Sequence, residues 1–317
     1  MDLRNQAVNS GAMADPFDTD ARRAIRSALA RESYRTGSVP IADPQLAGYS
    51  WLFASHRGVF AVSETQAKTV LNGWFFGIER VDDTIYLFEN CAMRDRSLQM
   101  GRIVRFRIVD GRLTDPSVLV TGLASNCHQV RMIDGALCVV DTGNQAIRRY
   151  TPEGALIDVL MPFPVAPPSD ESGIYRHINS VARVGERIAI MCHNGKCVPE
   201  KQSELAWLDG DWNLLSFETI AGHHCHDIVA DENGALWHCA SAEGDLISSN
   251  GRRIHVTDRL MTRALAFSAD RAIVGVTTFG PRQLRDTLNG GVAIFDREFR
   301  LISQIDLRGS PTDVVAL

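Results

Sequence analysis

The chain has 317 residues, 45% of them hydrophobic and 22% charged, with a formal net charge of −5, the balance of a soluble globular protein with a sizeable core. Lysine and arginine are scattered rather than clustered, which argues against a nucleic-acid partner or an anionic membrane surface. No apolar run approaches the ~20 residues that span a bilayer, and the N-terminus has no apolar export segment, so the expectation is a cytoplasmic protein.

In chain order, MDLRNQAVNSGAMADPF reads as a tail and DARRAIRSALARES, residues 20–33, as a short helix. Residues 1–45 thus precede a single domain expected over 46–317. Residues 49–71 (YSWLFASHRGVFAVSETQAKTVL) supply three strands that lack an inner partner. WFFGIERVDDTIYLFEN from Trp74 is then the first of five related segments. The others are CHQVRMIDGALCVVDTGNQAIRRYTPEG from Cys127, HINSVARVGERIAIMCHNG from His177, GHHCHDIVADENGALWHC from Gly222 and RALAFSADRAIVGVTTF from Arg263. Each is an apolar strand, a tight turn of Asp, Gly, Glu or Asn, and a second apolar strand.

A further strand pair follows each segment, with its own turn at Asp110-Gly111, Pro152 to Gly154, Asp209-Gly210, Asn250-Gly251 or Asp296. Such residues close hairpins because they tolerate positive φ or bond to local backbone. Four antiparallel strands recurring about every 40–50 residues is the period of a β-propeller blade. The terminal SPTDVVAL is a lone inner strand that completes the three strands of 49–71. The fold expected is therefore all-β, a six-bladed propeller whose last blade is closed by the C-terminal strand, with the short helix outside.

Aligning the inner strands on their apolar residues puts Phe76, His128, Asn179, His226, Arg263 and Thr312 at one level. Two residues earlier come Trp74, Asn126, His177, His224, Met261 and Ser310. With a side-chain period of two, each set forms a layer near one mouth of the channel. His128, His177, His226 and His224 are the candidate metal ligands, since imidazoles from different strands suit a divalent transition ion, zinc or iron first and manganese, copper or nickel next. The alternative is a polar, metal-free pocket. Gln129 and Asp227, one residue on, either support those histidines or satisfy neighbouring backbone. Cys127 and Cys225 face between blades, and with seven cysteines and no CxxC in the chain the thiols are expected to be free.

Arg263 is the fixed positive charge expected in the ring, placed to hold a carboxylate or other anion or else an inter-blade salt bridge. Tyr175 is a candidate acid or base. Trp74, Asn126, Asn179, Met261 and Thr312 are expected around a substrate pocket, with Trp74 and Phe75 equally at home in the core. His193 is read as pocket wall farther from the axis and His238 as packing. The Pro-rich loop 161–175 is expected as a lid, and the loops 90–100 and 279–289 as further carriers of specificity. No Walker loop, GxGxxG, GxSxG or HExxH occurs.

Over residues 49–317 the chain resembles the six-bladed superfamily of NHL-repeat proteins, the gluconolactonase and senescence-marker-protein group, strictosidine synthase and peptidylglycine amidating lyase. VVDTGNQAIRRYTPEG is similar to an NHL-type strand pair, and HINSV puts Asn179 where the gluconolactonase group has a metal-binding asparagine. That pattern departs at His226 and Thr312, where the lactonase group has carboxylates. His128 and His226 resemble the zinc-binding strand starts of the amidating lyase, without the preceding proline and with His177 displaced by two. The resemblance implies a metal-dependent lyase or hydrolase acting on a small molecule at the channel mouth. Dioxygen activation, metal-free chemistry of the strictosidine synthase kind, and a non-catalytic propeller that binds a peptide or protein remain open. No heptad or apolar stripe declares an oligomeric state.

Overall fold

A computed structural model describes residues 41–91, 100–125, 127–278 and 288–317. They form six four-stranded antiparallel sheets, and in each the strand nearest the axis pairs with the next strand outward in a meander. The inner strands are Phe75–Val81, Val130–Ile133, Ile178–Val184, His226–Ala230, Leu260–Ser268 and Pro311–Ala316. The closing blade is assembled from both ends of the domain, as expected. Pro311–Ala316 lies against Trp51–Ser55, with Phe53 opposite Val314 and Leu52 opposite Val315. Closure gives this blade its fourth strand and ties the two ends of the domain together. The helix expected over 20–33 lies outside the described residues.

The turns follow from their chemistry. Asp110 and Gly111 have φ of 49° and 68°, and Asp134 and Gly135 of 50° and 76°, the two successive positive values of a two-residue hairpin turn. All five outer turns expected from the sequence connect the third and fourth strands of their blades. Apolar side chains between blades form the core in adjoining clusters, among them Leu52, Phe75 and Phe106 on one side and Val140, Ile178 and Ile190 on another. Cys127 and Cys225 are fully buried in this packing, and all seven cysteines are free.

Near one end of the channel the inner strands lose their regular register. Bulges fall between Phe75 and Ile78, Ile178 and Ser180, His226 and Val229, and Arg263 and Leu265. A bulge takes backbone N–H groups out of their own ladder and re-aims side chains. Side chains of adjoining blades take up those N–H groups. Gln129 Oε1 accepts from Val181 at 2.8 Å, Ser180 Oγ from Asp227 at 2.9 Å, Asp227 Oδ2 from Ala264 at 2.8 Å, and Asp313 Oδ2 from Ile78 at 3.0 Å. Gln129 and Asp227 therefore satisfy neighbouring backbone, one of the two roles open to them. Gly77 is needed for this girdle, because a Cβ there would stand 2.6 Å from the Val130 nitrogen.

Candidate functional site at the histidine mouth

Six histidines surround a cavity of about 310 Å³ at the bulged end, namely His56, His128, His177, His193, His224 and His226. Their rings touch in a continuous group. His128 lies 5.2 Å from His177 and 6.3 Å from His226, centroid to centroid. His193 sits in the middle, stacked between His177 at 4.6 Å and His224 at 4.7 Å, and edge-on to His226 at 5.1 Å. His56 extends the group through Phe76, 5.0 Å from His56 and 5.4 Å from His128.

Two of these rings have a hydroxyl behind them. His226 Nδ1 is 2.9 Å from Ser241 Oγ, and that hydroxyl is 2.7 Å from the Thr262 carbonyl. The hydroxyl proton goes to the carbonyl, so Ser241 accepts from Nδ1–H and the Nε2 lone pair of His226 is left available to the cavity. His128 Nδ1 pairs with Thr142 Oγ1 at 2.8 Å. Thr142 is positioned by the DTGNQ stretch. Asp141 accepts from the Asn144 backbone to start a short 3-10 turn, Gln145 ends it with φ 53°, and the fully buried Asp141 carboxylate is pinned by Arg148 at 2.7 Å. Thr142 and Ser241 occupy the same place in their blades, directly after the second strands Ala136–Asp141 and Leu236–Ala240.

His193 and His56 occupy that place too, after Arg187–Cys192 and Trp51–Ser55. The residue leaving the second strand thus reaches the mouth in four blades. His193 Nδ1 accepts from the Gly195 N–H at 3.0 Å, which in a neutral ring puts the proton on Nε2. Burial, first of all, and the neighbouring imidazoles hold His193 well below the ordinary histidine value. Burial followed by the charge of Arg263 does the same for His226. Both are neutral imidazoles near pH 7.

Of the residues expected at the site, His128, His177, His224, His226, Met261 and Arg263 line the cavity together. Tyr175 stands behind it, with its ring 5.8 Å from His177 and its buried hydroxyl donating to the Thr142 carbonyl at 3.2 Å. Asn179 is turned to the Cys225 carbonyl and Thr312 to the Phe75 carbonyl, both buried. Trp74 packs 5.9 Å from His56 without lining the cavity. Asn126 lies outside the described residues, as do most of the loops 90–100 and 279–289. His193 belongs to the centre of the cluster rather than to an outlying wall, and Lys196 joins Arg263 as a second positive charge. His238 packs, its Nε2 donating to the Ala221 carbonyl at 2.9 Å. The loop 161–175 contributes no lining residue and is no lid over this cavity. Gln145 holds it down through the Pro164 and Ile174 carbonyls, and Asp170 accepts from Ile174 and Tyr175.

The donors suit a transition metal in kind. The pairs His177–His193 and His193–His224 are stacked face to face at 4.6 and 4.7 Å, and the in-plane lone pairs of stacked rings do not converge on one ion. Among the described residues no three His, Cys, Asp or Glu side chains are turned onto one point as a ligand set.

No family model matches the sequence, and no curated relative matches it. Solved structures do match in fold. A structure from the nidogen/laminin complex superimposes with a TM-score of 0.56 at 12% identity, over 84% of this chain and 97% of its own. A protein of unknown function from Bacteroides caccae gives 0.55 at 11%, over 86% and 99%. The periplasmic gluconolactonase of Pseudomonas aeruginosa gives 0.54 at 13%, over 85% and 99%. At such identities the likeness is one of architecture, and it bears out the resemblance to six-bladed propellers, gluconolactonase-like and nidogen propellers included.

Proposed function

We propose that the chain is an enzyme of the lyase or hydrolase type acting on a small molecule at the histidine mouth, with a divalent transition ion as cofactor. One observation carries this reading. His226 is held through Nδ1 by the Ser241 hydroxyl behind it, which leaves the Nε2 lone pair for the cavity, and on another blade His128 has the Thr142 hydroxyl at its own Nδ1. Imidazoles that ligate metals have such outer support, which fixes tautomer and ring orientation. His177 would complete the set, with His224 as the substitute, and Tyr175 would steady His177 from behind. Such an ion, when bound, polarises a substrate oxygen or lowers the pKa of a water near neutral pH. The chain's own groups bind and orient: Arg263 the substrate, and Thr277 and Thr278 the adjoining wall.

A second reading has its own observation. His193 presents a neutral Nε2–H to the cavity, and a metal-free lyase would need only such a donor with a neighbouring imidazole base. Elemental analysis of untagged protein, with His128→Ala and His226→Ala variants, separates the two. About one equivalent of metal, lost in both folded variants, supports the first reading. No metal after reconstitution with zinc, iron, manganese, copper and nickel overturns it in favour of the second.

A further inference from the structure

His226 has a second support besides the hydroxyl at its ring, and it comes from the neighbouring blade. Asn179 Nδ2 donates to the Cys225 carbonyl at 2.8 Å, and Ser180 Oγ accepts from the Asp227 N–H at 2.9 Å. These groups belong to the two peptide units on either side of the His226 Cα. The arrangement closes on itself, because the Ser180 hydroxyl donates to Asn179 Oδ1 at 2.9 Å. Asn179, Ser180, Cys225 and Asp227 are all buried, at 3% exposure or less.

The bulges explain why such a clamp is needed. They take the backbone between Ile178 and Ser180 and between His226 and Val229 out of regular register, and Asp227 is held at a φ of 61°, which a residue other than glycine seldom adopts. Backbone in that region persists where its surroundings over-determine it. The placement is also passed on, since Asp227 Oδ2 accepts at 2.8 Å from the N–H of Ala264, the residue after Arg263. His128 is held differently, within its own blade. Its N–H donates to the Val140 carbonyl at 3.2 Å, and the Gln129 carbonyl accepts from the Val140 N–H at 2.9 Å.

The amide itself argues against the other use of an asparagine at this level. The Cys225 carbonyl oxygen only accepts, so the atom facing it is the Nδ2 donor, and Oδ1 is turned to the Ser180 hydroxyl. We propose that Asn179 and Ser180 are positioning residues of the histidine mouth, which set the place of His226 from the neighbouring blade without touching metal or substrate. This rests on the mouth being the functional site.

The test uses the full chain, with zinc alone as the probe, in the variants Asn179→Asp, Ser180→Ala and Ser180→Thr. Aspartate keeps an oxygen for any metal that residue 179 would ligate, but sets an acceptor against the Cys225 carbonyl. Threonine keeps the hydroxyl that alanine removes. In metal-free protein the ring nitrogen resonances of labelled His226 should move in Asn179→Asp and Ser180→Ala, those of His128 should stay, and Ser180→Thr should match the unaltered chain. Zinc affinity, measured by competition with a chelator, should fall at least about ten-fold in the first two variants. Zinc affinity unchanged or raised in Asn179→Asp would make residue 179 a ligand and overturn the proposal. His226 resonances unmoved in Asn179→Asp and Ser180→Ala would overturn it too, as would an equal displacement of His128, the mark of a general loosening. Should Asn179→Asp not fold, Ser180→Ala against Ser180→Thr decides by the same resonances. A chain that takes up no transition ion, while His226 moves in the variants, would overturn the metal-dependent reading alone. A zinc-binding chain whose His226 stays in place would overturn this proposal alone.

Discussion

The two ends of the channel are built by the same six strands and treat ionisable groups in opposite ways. At the far end Arg131 is fixed on every side. It donates to Asp313 at 2.9 and 2.8 Å and to the carbonyls of Ile78 and Val130, with Glu79 3.6 Å away. Around it, Val181, Ile228, Leu265 and Val314 share the wall of a funnel of about 440 Å³ with Glu79, Arg80 and Arg183. Opposite charges there tie blades that are remote in sequence. At the histidine end imidazoles are stacked on one another, burial keeps His193 and His226 neutral, and the Glu200 carboxylate lies 3.8 Å from His224. Charges that cancel serve the scaffold, and the neutral imidazoles are the groups the proposed site would use.

The largest expected effect breaks the far end. Arg131→Met leaves Asp313 and Glu79 buried without their cation, and losing one partner of a buried pair costs about 3–5 kcal/mol. Urea unfolding should show that loss. The matching change at the histidine end, His193→Gln, should alter stability by about 1 kcal/mol or less while abolishing most ligand binding. Similar losses of stability in both variants would refute the contrast.

Next in size is a pair of pH dependences with opposite signs. Burial raises the Glu79 carboxyl to about 7, against 4.5 as its ordinary value. Between these values the folded chain keeps a proton that the unfolded chain has lost, so stability falls as pH rises from about 4.5 to about 7, by on the order of 2–3 kcal/mol. Glu79→Gln should flatten this decline. His193 and His226 are displaced downward, chiefly by burial. The unfolded chain therefore binds more protons below about 6.5, and in metal-free protein their contribution is lost as pH falls below that value. His193→Gln should reduce this acid-side loss and leave the Glu79 slope in place. Denaturant midpoints from pH 4.5 to 8 would resolve the two.

The fold was legible because its signals are local. Asp110-Gly111 or Asn250-Gly251 declares a hairpin wherever it stands, and SPTDVVAL declares a missing partner by having none of its own. His128 and His226 were legible because they begin inner strands whose register can be aligned. His56 was not, and His193 was legible as pocket wall but not as the centre of the cluster, since both follow second strands, where the chain leaves the sheet and the period of two ceases to aim side chains. Comparing the residue after each second strand, Thr142, His193, Ser241 and His56, is the signal that finds them. Asn179 marks the opposite limit. It sits at a bulge, and the inserted residue turns its amide to the Cys225 carbonyl instead of the cavity. The Arg131–Asp313 pair joins residues 182 apart in sequence, and no local pattern announces it.

A smaller effect sharpens the histidine end. Ser241→Ala removes the acceptor that holds His226 Nδ1–H and leaves the Thr262 carbonyl without its donor. Loss of such outer support typically lowers metal affinity 10–100-fold, and the unmet buried groups cost about 1–2 kcal/mol. Thr142→Ala should act on His128 in the same direction. Competition with a chelator of known affinity would measure both, and affinities unchanged in both variants would dissociate the hydroxyls from metal binding.

The smallest effect on stability is the most specific for geometry. Gly195→Ala inserts a methyl group 2.4 Å from the His193 ring, so the loop must move away and the hydrogen bond to Nδ1 is stretched or lost. Residue 195 lies in a loop outside the apolar core clusters, and the cost in stability should stay within about 1 kcal/mol. The consequence for the site is larger than that cost suggests, because without the Gly195 donor the His193 ring is free to carry its proton on Nδ1 and present a lone pair where it had presented a donor. Nitrogen shifts of labelled His193 would report the change of tautomer. A ring that keeps its proton on Nε2 in this variant would mean that the stacking of His177 and His224 sets the tautomer and that the glycine serves only the turn.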